Sequence, residues 1–347
     1  MSIFDSLKPA TPMMNICMMG PKAVGKTTVL TAVFNETQRS ISDTTLNLTA
    51  KGDTNAELID RLHMLNAIFA KKKDIKDEYS NRVENAGITA TYNESSFYFG
   101  FGHIGKNPII DLTIKDFPGE MVVNREEDVI KFIKDSQCIF IAIDTPHLME
   151  LNGAYNDVKN KPNEITNLFK KAVASIKDEK LVLFIPLKCE KYFHEQRMEE
   201  VLCKVEETYS ELITILDKSK KVCCCVAPIQ TLGDVEFDDF TYEGSGVKLA
   251  PDGCPAEVKY KYVNDKKYSP YFCSQPLYSL LLFVAAQYKR QSSRKGLIDT
   301  LLNMIWNVFK SDEKLFEEIY KMNRSRISDN VKLGYKTLCG GELFNCK

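Results

Sequence analysis

The chain has 347 residues, of which 44% are hydrophobic and 27% are charged, and its formal net charge is −1. This length allows one large domain or two modest ones. The balanced charge gives no electrostatic basis for bulk nucleic-acid binding, and no apolar run approaches the roughly eighteen residues of a membrane-spanning helix. The first residues lack the apolar core of a signal peptide, so a cytoplasmic location is expected.

Short apolar runs alternate with polar segments of helical periodicity. Residues 15–19 are apolar and predict a buried strand, and residues 27–35 predict the helix that follows it. Residues 56–72 also have a helical pattern. The segments 95–101 and 108–114 are separated by a polar turn, which predicts a β-hairpin.

Three further apolar runs, at residues 138–143, 180–185 and 222–227, have the length and flanks of buried parallel strands. Helix-like segments lie between them, for example at 164–177 and 196–216. Strands that alternate with helices predict an α/β layered sheet, to which the hairpin contributes one antiparallel edge strand.

Two insertions into this pattern are predicted, at about 38–90 and 234–273. In the second, the turn signal P-D-G at 251–253 stands between the apolar stretches 247–249 and 258–263, which predicts that these two stretches form a hairpin.

The main domain is expected over residues 10–290, ending with a helix at 275–288, and a helical C-terminal extension is expected over 291–347. Residues 294–310 have an amphipathic helical pattern. This pattern favours packing on the domain over docking a partner or a membrane surface.

The eleven cysteines include three in succession at 223–225, within an apolar run. Neighbours on a strand point to opposite faces, so these three cannot form a compact metal cluster. The sequence has no C-x-x-C pair, and we interpret the cysteines as reduced thiols in the core.

Residues 20–27 read G-P-K-A-V-G-K-T, a complete phosphate-loop motif. Gly20 and Gly25 let the backbone wrap around phosphates, Lys26 places a positive charge on the β and γ phosphates, and the Thr27 hydroxyl is a ligand for Mg²⁺. The positive end of the following helix faces the same phosphates. The motif predicts that a nucleoside triphosphate binds here; the alternative is a structural glycine-rich turn.

Residues 116–119 read D-F-P-G and follow the predicted strand 108–114. An aspartate at this place can reach the metal through water. The Gly119 N–H can bind the γ phosphate, and glycine allows the peptide to swing when that phosphate leaves. The motif therefore predicts a two-state switch.

With these two motifs the chain resembles the P-loop GTPases of the translation-factor and Ras-like (TRAFAC) class. The resemblance implies a P-loop NTPase three-layer sandwich with a mostly parallel six-stranded sheet, one antiparallel edge strand, and helical and hairpin insertions. It also implies that Glu120 stands where a glutamine often orients the attacking water. A carboxylate there is repelled by the γ phosphate, which implies slow hydrolysis or dependence on an activating partner. The switch I threonine is Thr89 or Thr91, and the preceding glycine favours Thr89.

The base-reading motif N-K-x-D of this class is replaced by L-K-C-E at residues 187–190. Lys188 is in place, and Glu190 has the acceptor pair of aspartate on a longer stem, whereas Leu187 cannot make the bonds of the asparagine. Gln230 and Thr231 take the place of the final base-contacting loop. The alternative for Glu190 is a helix N-terminus with a favourable acidic residue.

These altered motifs, together with C-S-Q-P-L at 273–277, are similar to the prokaryotic double-GTPase-like group over roughly residues 14–288. Proteins of that group are thought to work as regulatory switches. Since this chain has one phosphate loop, the resemblance implies a second GTPase molecule or a protein effector as partner.

The expected function is a GTP-binding regulatory switch with slow, Mg²⁺-dependent hydrolysis of GTP to GDP. The alternatives are a nucleotide-binding adaptor with little turnover and an ATP-using P-loop NTPase. The predicted site residues are, as catalytic residues, Lys26, Gly119 and Glu120; as metal ligands, Thr27, Thr89 and Asp116; and as nucleotide contacts, Gly20, Ala23, Val24, Gly25, Lys26, Thr27, Thr28, Lys188, Glu190, Gln230 and Thr231.

Overall fold

A mostly parallel, eight-stranded sheet with helices on both faces forms the centre of the protein. The computed structural model describes residues 11–22, 24–42, 44–70, 95–117, 125–263, 267–292, 317, 320 and 334–344. The strands of the sheet are β1 (Met13–Met19), β2 (Leu46–Ala50), β3 (Ser95–His103), β4 (Ile110–Asp116), β5 (Cys138–Asp144), β6 (Lys180–Leu187), β7 (Val222–Val226) and β12 (Lys336–Cys339). The helices are α1 (Lys26–Ser40), α2 (Asp53–Ala70), α3 (Glu126–Asp135), α4 (Thr145–Met149), α5 (Asn156–Asn160), α6 (Pro162–Val173), α7 (Glu190–His194), α8 (Met198–Thr208), α9 (Ser210–Ser219) and α10 (Gln275–Ser292).

The strands lie in the order β12-β7-β6-β5-β1-β4-β3-β2. The five central strands from β7 to β4 are parallel, while β3 is antiparallel to both of its neighbours and β12 is antiparallel to β7. The predicted α/β class, parallel core and β3–β4 hairpin are therefore confirmed.

The predicted six-stranded sheet is too small. The strand β2, from within the first predicted insertion, covers β3, so β3 is not the edge strand that the sequence predicted. At the other end, β12 adds a strand beside β7. Both added strands are short, and β12 is only partly buried, so neither carries the continuous apolar run that marks the central strands.

The alternation of side chains along β1 divides the core into two layers. Ile16 and Met18 pack with residues of α1 and α10 on one face, while Cys17 and Met19 pack with residues of α3, α6 and α9 on the other. Because a parallel sheet is covered on both faces, its strands have apolar residues in nearly every position.

The described residues contain the helices predicted at 27–35, 56–72, 164–177, 196–216 and 275–288, with changed limits, whereas the predicted helical extension over 291–347 contains the strand β12. The predicted helix at 196–216 is two helices, α8 and α9, because the backbone leaves the helical conformation at the buried Tyr209. The first helix runs on to Ser40, beyond the predicted end at residue 35.

The second predicted insertion contains a hairpin with different partners. The strand β11 (Val258–Tyr262) pairs with β8 (Val235–Phe240), whereas the short β10 (Gly246–Val247) pairs with β9 (Tyr242–Glu243). The signal at residues 251–253 is a turn, since Gly253 has φ +79°. That turn is closed by a single bridge, because five residues of β11 find better partners on β8.

The remaining predictions for the whole chain have mixed outcomes. Cys223, Cys224 and Cys225 are fully buried, and every cysteine in the described ranges is a free thiol. No helix among the described residues has the length and apolar character needed to cross a membrane. Residues 294–310 lie outside the described residues, and the domain boundary at 290 stays a prediction.

Candidate functional site

Those predicted site residues that the structure describes lie, together with Asp144, at the carboxyl edge of the sheet. The phosphate loop follows β1, Asp116 ends β4, Asp144 ends β5 and Lys188 follows β6. Because these strands are parallel neighbours, their ends come together. Ligand sites of open α/β sheets form at this edge.

Two glycines set the shape of the phosphate loop. Gly20 has φ +151°, and a Cβ at this position would lie 2.7 Å from the carbonyl oxygen of Ala142. Gly25 has φ +102° and precedes α1 without any side-chain cap. The first turn of α1 also contains no acidic residue, so no carboxylate of that turn offsets the positive end of the helix. These features support an anion site.

Three further positions at the loop and the start of α1 are anchored in the protein. Val24 is part of the apolar core, and Thr27 and Thr28 are buried at the start of α1. The carbonyl of Thr27 accepts a hydrogen bond from the Thr31 hydroxyl at 3.0 Å, which holds the first turn.

Lys26 and Asp116 form a buried pair in front of the loop. The ammonium group of Lys26 donates to the carbonyls of Gly20 at 3.3 Å and Pro21 at 3.2 Å. Its Nζ lies 3.7 Å from Oδ1 of Asp116, which is an ion pair longer than a hydrogen bond. Burial lowers the pKa of Lys26, and Asp116 opposes this shift.

Asp116 has an unusual environment for a carboxylate. Its side chain is 1% exposed, and neither oxygen has a hydrogen-bond partner among the described residues. Burial raises the pKa of Asp116 to about 6, against the opposing effect of Lys26. Buried polar atoms normally have partners, so these two oxygens point to a ligand.

The residues present fit a magnesium ion bound together with a nucleotide. Mg²⁺ prefers oxygen ligands and keeps several waters. The hydroxyl of Thr27, at the loop, and the carboxylate of Asp116, which has no hydrogen-bond donor among the described residues, are of the right chemical type. The described part of the chain contains no group of three or more His, Cys, Asp and Glu side chains that could hold a metal by itself.

A second buried ion pair lies at the ends of β5 and β6. Nζ of Lys188 is 2.7 Å from Oδ2 of Asp144, and Oδ1 of the same carboxylate is 2.6 Å from Nδ1 of His147. Burial alone would raise the pKa of Asp144, but Lys188 and His147 hold it well below its usual range. Lys188 also has the left-handed φ of +61° and lies 5.8 Å from the centre of the Tyr260 ring.

Glu190 faces the loop that was predicted to contact the base. Its Oε1 accepts the N–H of Leu232 at 3.0 Å, and its side chain is 2% exposed. Burial raises the pKa of Glu190, while N–H donors of the same loop oppose this effect. Gln230 and Thr231 are buried in this loop, and the side-chain nitrogen of Gln230 has no partner in the described structure. The structure thus brings these three residues together, and their role in reading a base stays a prediction.

Three residues at the site were not predicted from the sequence. Asn160 binds both backbone groups of Asp144, since its Oδ1 accepts the Asp144 N–H at 2.8 Å and its Nδ2 donates to the Asp144 carbonyl at 3.1 Å. Lys159 then donates from Nζ to the carbonyl of Lys22 in the phosphate loop at 3.0 Å. A carboxylate directly after the apolar run 138–143 was the available signal for Asp144. No local pattern marks Lys159 or Asn160.

Five predicted residues lie outside the described residues: Ala23, Thr89, Thr91, Gly119 and Glu120. Their roles stay predictions.

The comparisons with known proteins add little. No family model matches the sequence, and no curated protein matches it. Among solved structures, the GTPase-like domain of Ski7 from S. cerevisiae, bound to GTP, matches 81% of this chain at 14% identity with a TM-score of 0.39. The match covers 52% of that chain, so it extends over about half of the yeast structure. The fold assignment rests on the strand order and the loop geometry, because this TM-score is too low to support it.

Proposed function

We propose that the protein is a nucleotide-dependent switch that binds GTP and GDP with Mg²⁺ and hydrolyses GTP slowly. The observation that carries the proposal is the buried Lys26–Asp116 ion pair beside the glycine loop at the start of α1. Neither carboxylate oxygen of Asp116 has a hydrogen-bond partner among the described residues. A magnesium-bound triphosphate needs a positive charge beside its phosphates and a negative charge beside its metal, and Lys26 and Asp116 match these two needs.

The phosphate loop has the main binding role. The N–H groups of residues 23–28 bind phosphate oxygens, and Lys26 exchanges its carbonyl partners for the β and γ phosphates. Thr27 and Asp116, with Thr89 or Thr91, would hold Mg²⁺. When bound, Mg²⁺ neutralises charge on the two outer phosphates.

Hydrolysis follows from the same arrangement. Water attacks the γ phosphorus, the bond to the β–γ bridging oxygen breaks, and GDP, inorganic phosphate and a proton are released. Lys26 stabilises the negative charge that develops on the β phosphate of the leaving GDP. The carboxylate of Glu120 cannot donate to the γ phosphate as an amide does, so we expect slow turnover without a protein partner, either an effector or a second GTPase.

Base selection is assigned to Lys188 and Glu190. Lys188 is held in a fixed orientation by Asp144, as a side chain that covers a base must be. A second candidate, an ATP-tolerant nucleotide-binding protein, is favoured by one observation: Glu190 already accepts the Leu232 N–H, which competes with guanine for its oxygens.

A displacement assay tests the proposal. A fluorescent guanine nucleotide bound in the presence of Mg²⁺ should be displaced by GTP and GDP much more readily than by ATP. Removal of Mg²⁺ should weaken GTP binding. The variant Lys26→Ala should lose binding, while Lys170→Ala, which changes an exposed lysine paired with Glu211, should bind as the wild type does.

Each result has a clear reading. Equal displacement by ATP would favour the second candidate and end the guanine assignment, and no binding of either nucleotide would contradict the whole proposal. Single-turnover hydrolysis by the wild type and by Glu120→Gln then separates a slow GTPase from an adaptor. A wild-type rate equal to that of buffer would favour the adaptor.

A further inference from the structure

We infer that Lys159 is a second cation for the phosphate tail of the nucleotide, supplied by this chain itself. The inference rests on the proposed function, because it names a further residue of the same site. It concerns a lysine that lies 137 residues from its phosphate-loop partner in the sequence.

Lys159 and Lys26 approach the same short segment of backbone. Lys26 donates to the carbonyls of Gly20 and Pro21, and Lys159 donates to the next carbonyl, that of Lys22. Two ammonium groups therefore bind three consecutive carbonyls of the phosphate loop. The charge of Lys159 is also close enough to lower the pKa of Lys26. Such an arrangement concentrates positive charge where a polyanion is expected.

The position of Lys159 is fixed by its neighbours. The adjacent Asn160 is 1% exposed and binds the backbone N–H and carbonyl of Asp144. Its Nδ2 also donates to Oδ1 of Asn156 at 3.0 Å, within the same helix. The helix α5 is thus attached to the end of β5, and β5 contacts the loop where Ala142 meets Gly20. The turn at Gly253 lies against Val158 on the same helix. These contacts hold the Lys159 stem beside the loop.

The ammonium group of Lys159 has capacity for a ligand. Among the described residues, its one hydrogen bond is to Lys22, and an ammonium group has three donors. Lys188 is different, since it is paired with Asp144 at 2.7 Å. Burial and repulsion by Lys188 lower the pKa of Lys159, and Asp144 opposes them. An anionic oxygen would relieve that repulsion.

The chemistry of this position favours the outer phosphates over the base. Lys159 contacts the loop backbone beside Lys26, whose charge belongs to the β and γ phosphates. A second cation there would stabilise a triphosphate more than a diphosphate, because the triphosphate carries more negative charge. The effect of Lys159 should therefore appear in the ratio of the affinity for the triphosphate to the affinity for the diphosphate.

The test measures the affinities of Mg²⁺-bound GTPγS and GDP by calorimetry for the wild type, Lys159→Ala, Lys159→Gln and the surface control Lys170→Ala. We expect Lys159→Ala to weaken GTPγS binding by about tenfold or more, the effect of losing one charged hydrogen bond, and to weaken GDP binding less. Lys159→Gln should behave like Lys159→Ala, and Lys170→Ala like the wild type.

Two outcomes overturn the inference, and they differ. If the wild type binds GTPγS and Lys159→Ala keeps the same ratio of affinities, Lys159 does not contact the phosphates although the proposed function stands. If the wild type binds neither nucleotide, the proposed function fails and the inference fails with it. Should Lys159→Ala not fold, judged by circular dichroism, the near-isosteric Lys159→Gln decides.

Discussion

Asp116 is a buried acid whose position costs the folded protein free energy. Its folded-state pKa is about 6, above its ordinary value of 3.8, because burial penalises the charged form. The folded protein therefore holds a proton more tightly than the unfolded chain does. The contribution of Asp116 to stability is favourable at low pH and is lost as the pH rises through about 6.

Replacing Asp116 by Asn should reveal this pH dependence. In metal-free and nucleotide-free buffer, the stability of the wild type relative to Asp116→Asn should increase by about 2 kcal/mol when the pH falls from 7.5 to 4. Urea unfolding at several pH values measures it, with Asp128→Asn on the surface of α3 as the control for removing an acid. A constant difference between wild type and Asp116→Asn across this range would contradict the assignment.

The Asp144–Lys188 pair should have a large effect on stability when it is broken. Asp144 is fully buried, so Asp144→Ala leaves the ammonium group of Lys188 and the ring of His147 without their partner. We expect the free energy of unfolding to fall by about 3 kcal/mol. Chemical denaturation at neutral pH measures the change.

The exposed pair Lys204–Glu207 provides the matched control. Glu207→Gln should change the free energy of unfolding by about 0.5 kcal/mol or less, because exposed ion pairs contribute little. Similar small effects for both variants would mean that the buried pair is not needed for stability.

At the scale of single residues, the sequence predicted the contacts that a motif encodes and missed the others. Lys26 and Asp116 meet as the phosphate loop and the D-x-x-G motif require. Asp144 and Lys188 are 44 residues apart, and Lys159 is 137 residues from Lys22. Asp144 and Lys159 belong to no motif, so only the order of strands in the sheet brings them to this edge, and no local pattern contains that order.

The attachment of β12 to the sheet depends on one glycine. Gly340 has φ +64°, and a Cβ there would lie 2.1 Å from the carbonyl oxygen of Val222. A side chain therefore collides with the backbone of β7, in addition to the strain of the left-handed conformation. Gly244 has a similar φ of +61° with no atom within 4 Å of its Cβ.

These two glycines form a matched pair of substitutions. Gly340→Ala should destabilise the protein by about 2 kcal/mol more than Gly244→Ala, because the two share the backbone strain and differ in the collision. Thermal unfolding measures the difference. Amide exchange should also show reduced protection of residues 222–226 in Gly340→Ala alone, and equal effects of the two variants would argue against close packing of β12.

Strands were predicted correctly from the sequence where every residue of the strand is buried. The strands β5, β6 and β7 are buried at every position, and their apolar runs identify them. The strand β12 has only partly buried residues. The partner of β11 is β8, which ends at residue 240, seven residues before the predicted partner stretch 247–249 begins. Partial burial leaves a mixed pattern of residues, and pairing between strands is a long-range property.

Ligand binding should stabilise the whole molecule. A ligand at one hundred times its dissociation constant adds about 2.7 kcal/mol to the stability of the state that binds it. We expect Mg²⁺ with GTP to raise the melting temperature of the wild type, and Lys26→Ala to abolish the rise. A rise of equal size in Lys26→Ala would place the ligand elsewhere on the molecule.

For the molecule as a whole, the layered architecture was predictable, but the packing of the insertions around it was not. The alternation of apolar strands with helices determined the class of fold, since a parallel sheet needs helices on both faces. The insertion at 234–273 was recognised by its turn, but its packing was not. Val235 and Tyr262 form a small core with Leu65 and Ile68 of α2, which belongs to the other predicted insertion.

The pairing of β12 with β7 also has a consequence for the synthesis of the chain. Cys225 and Thr337 meet across these strands although 112 residues separate them. While the protein is being translated, β7 therefore has an open edge until the residues near 337 have emerged from the ribosome. Unpaired strand edges readily join other chains. The sheet can therefore be completed only after β12 has been synthesised. A chain shortened before residue 336 would keep the edge of β7 unpaired and open to other chains.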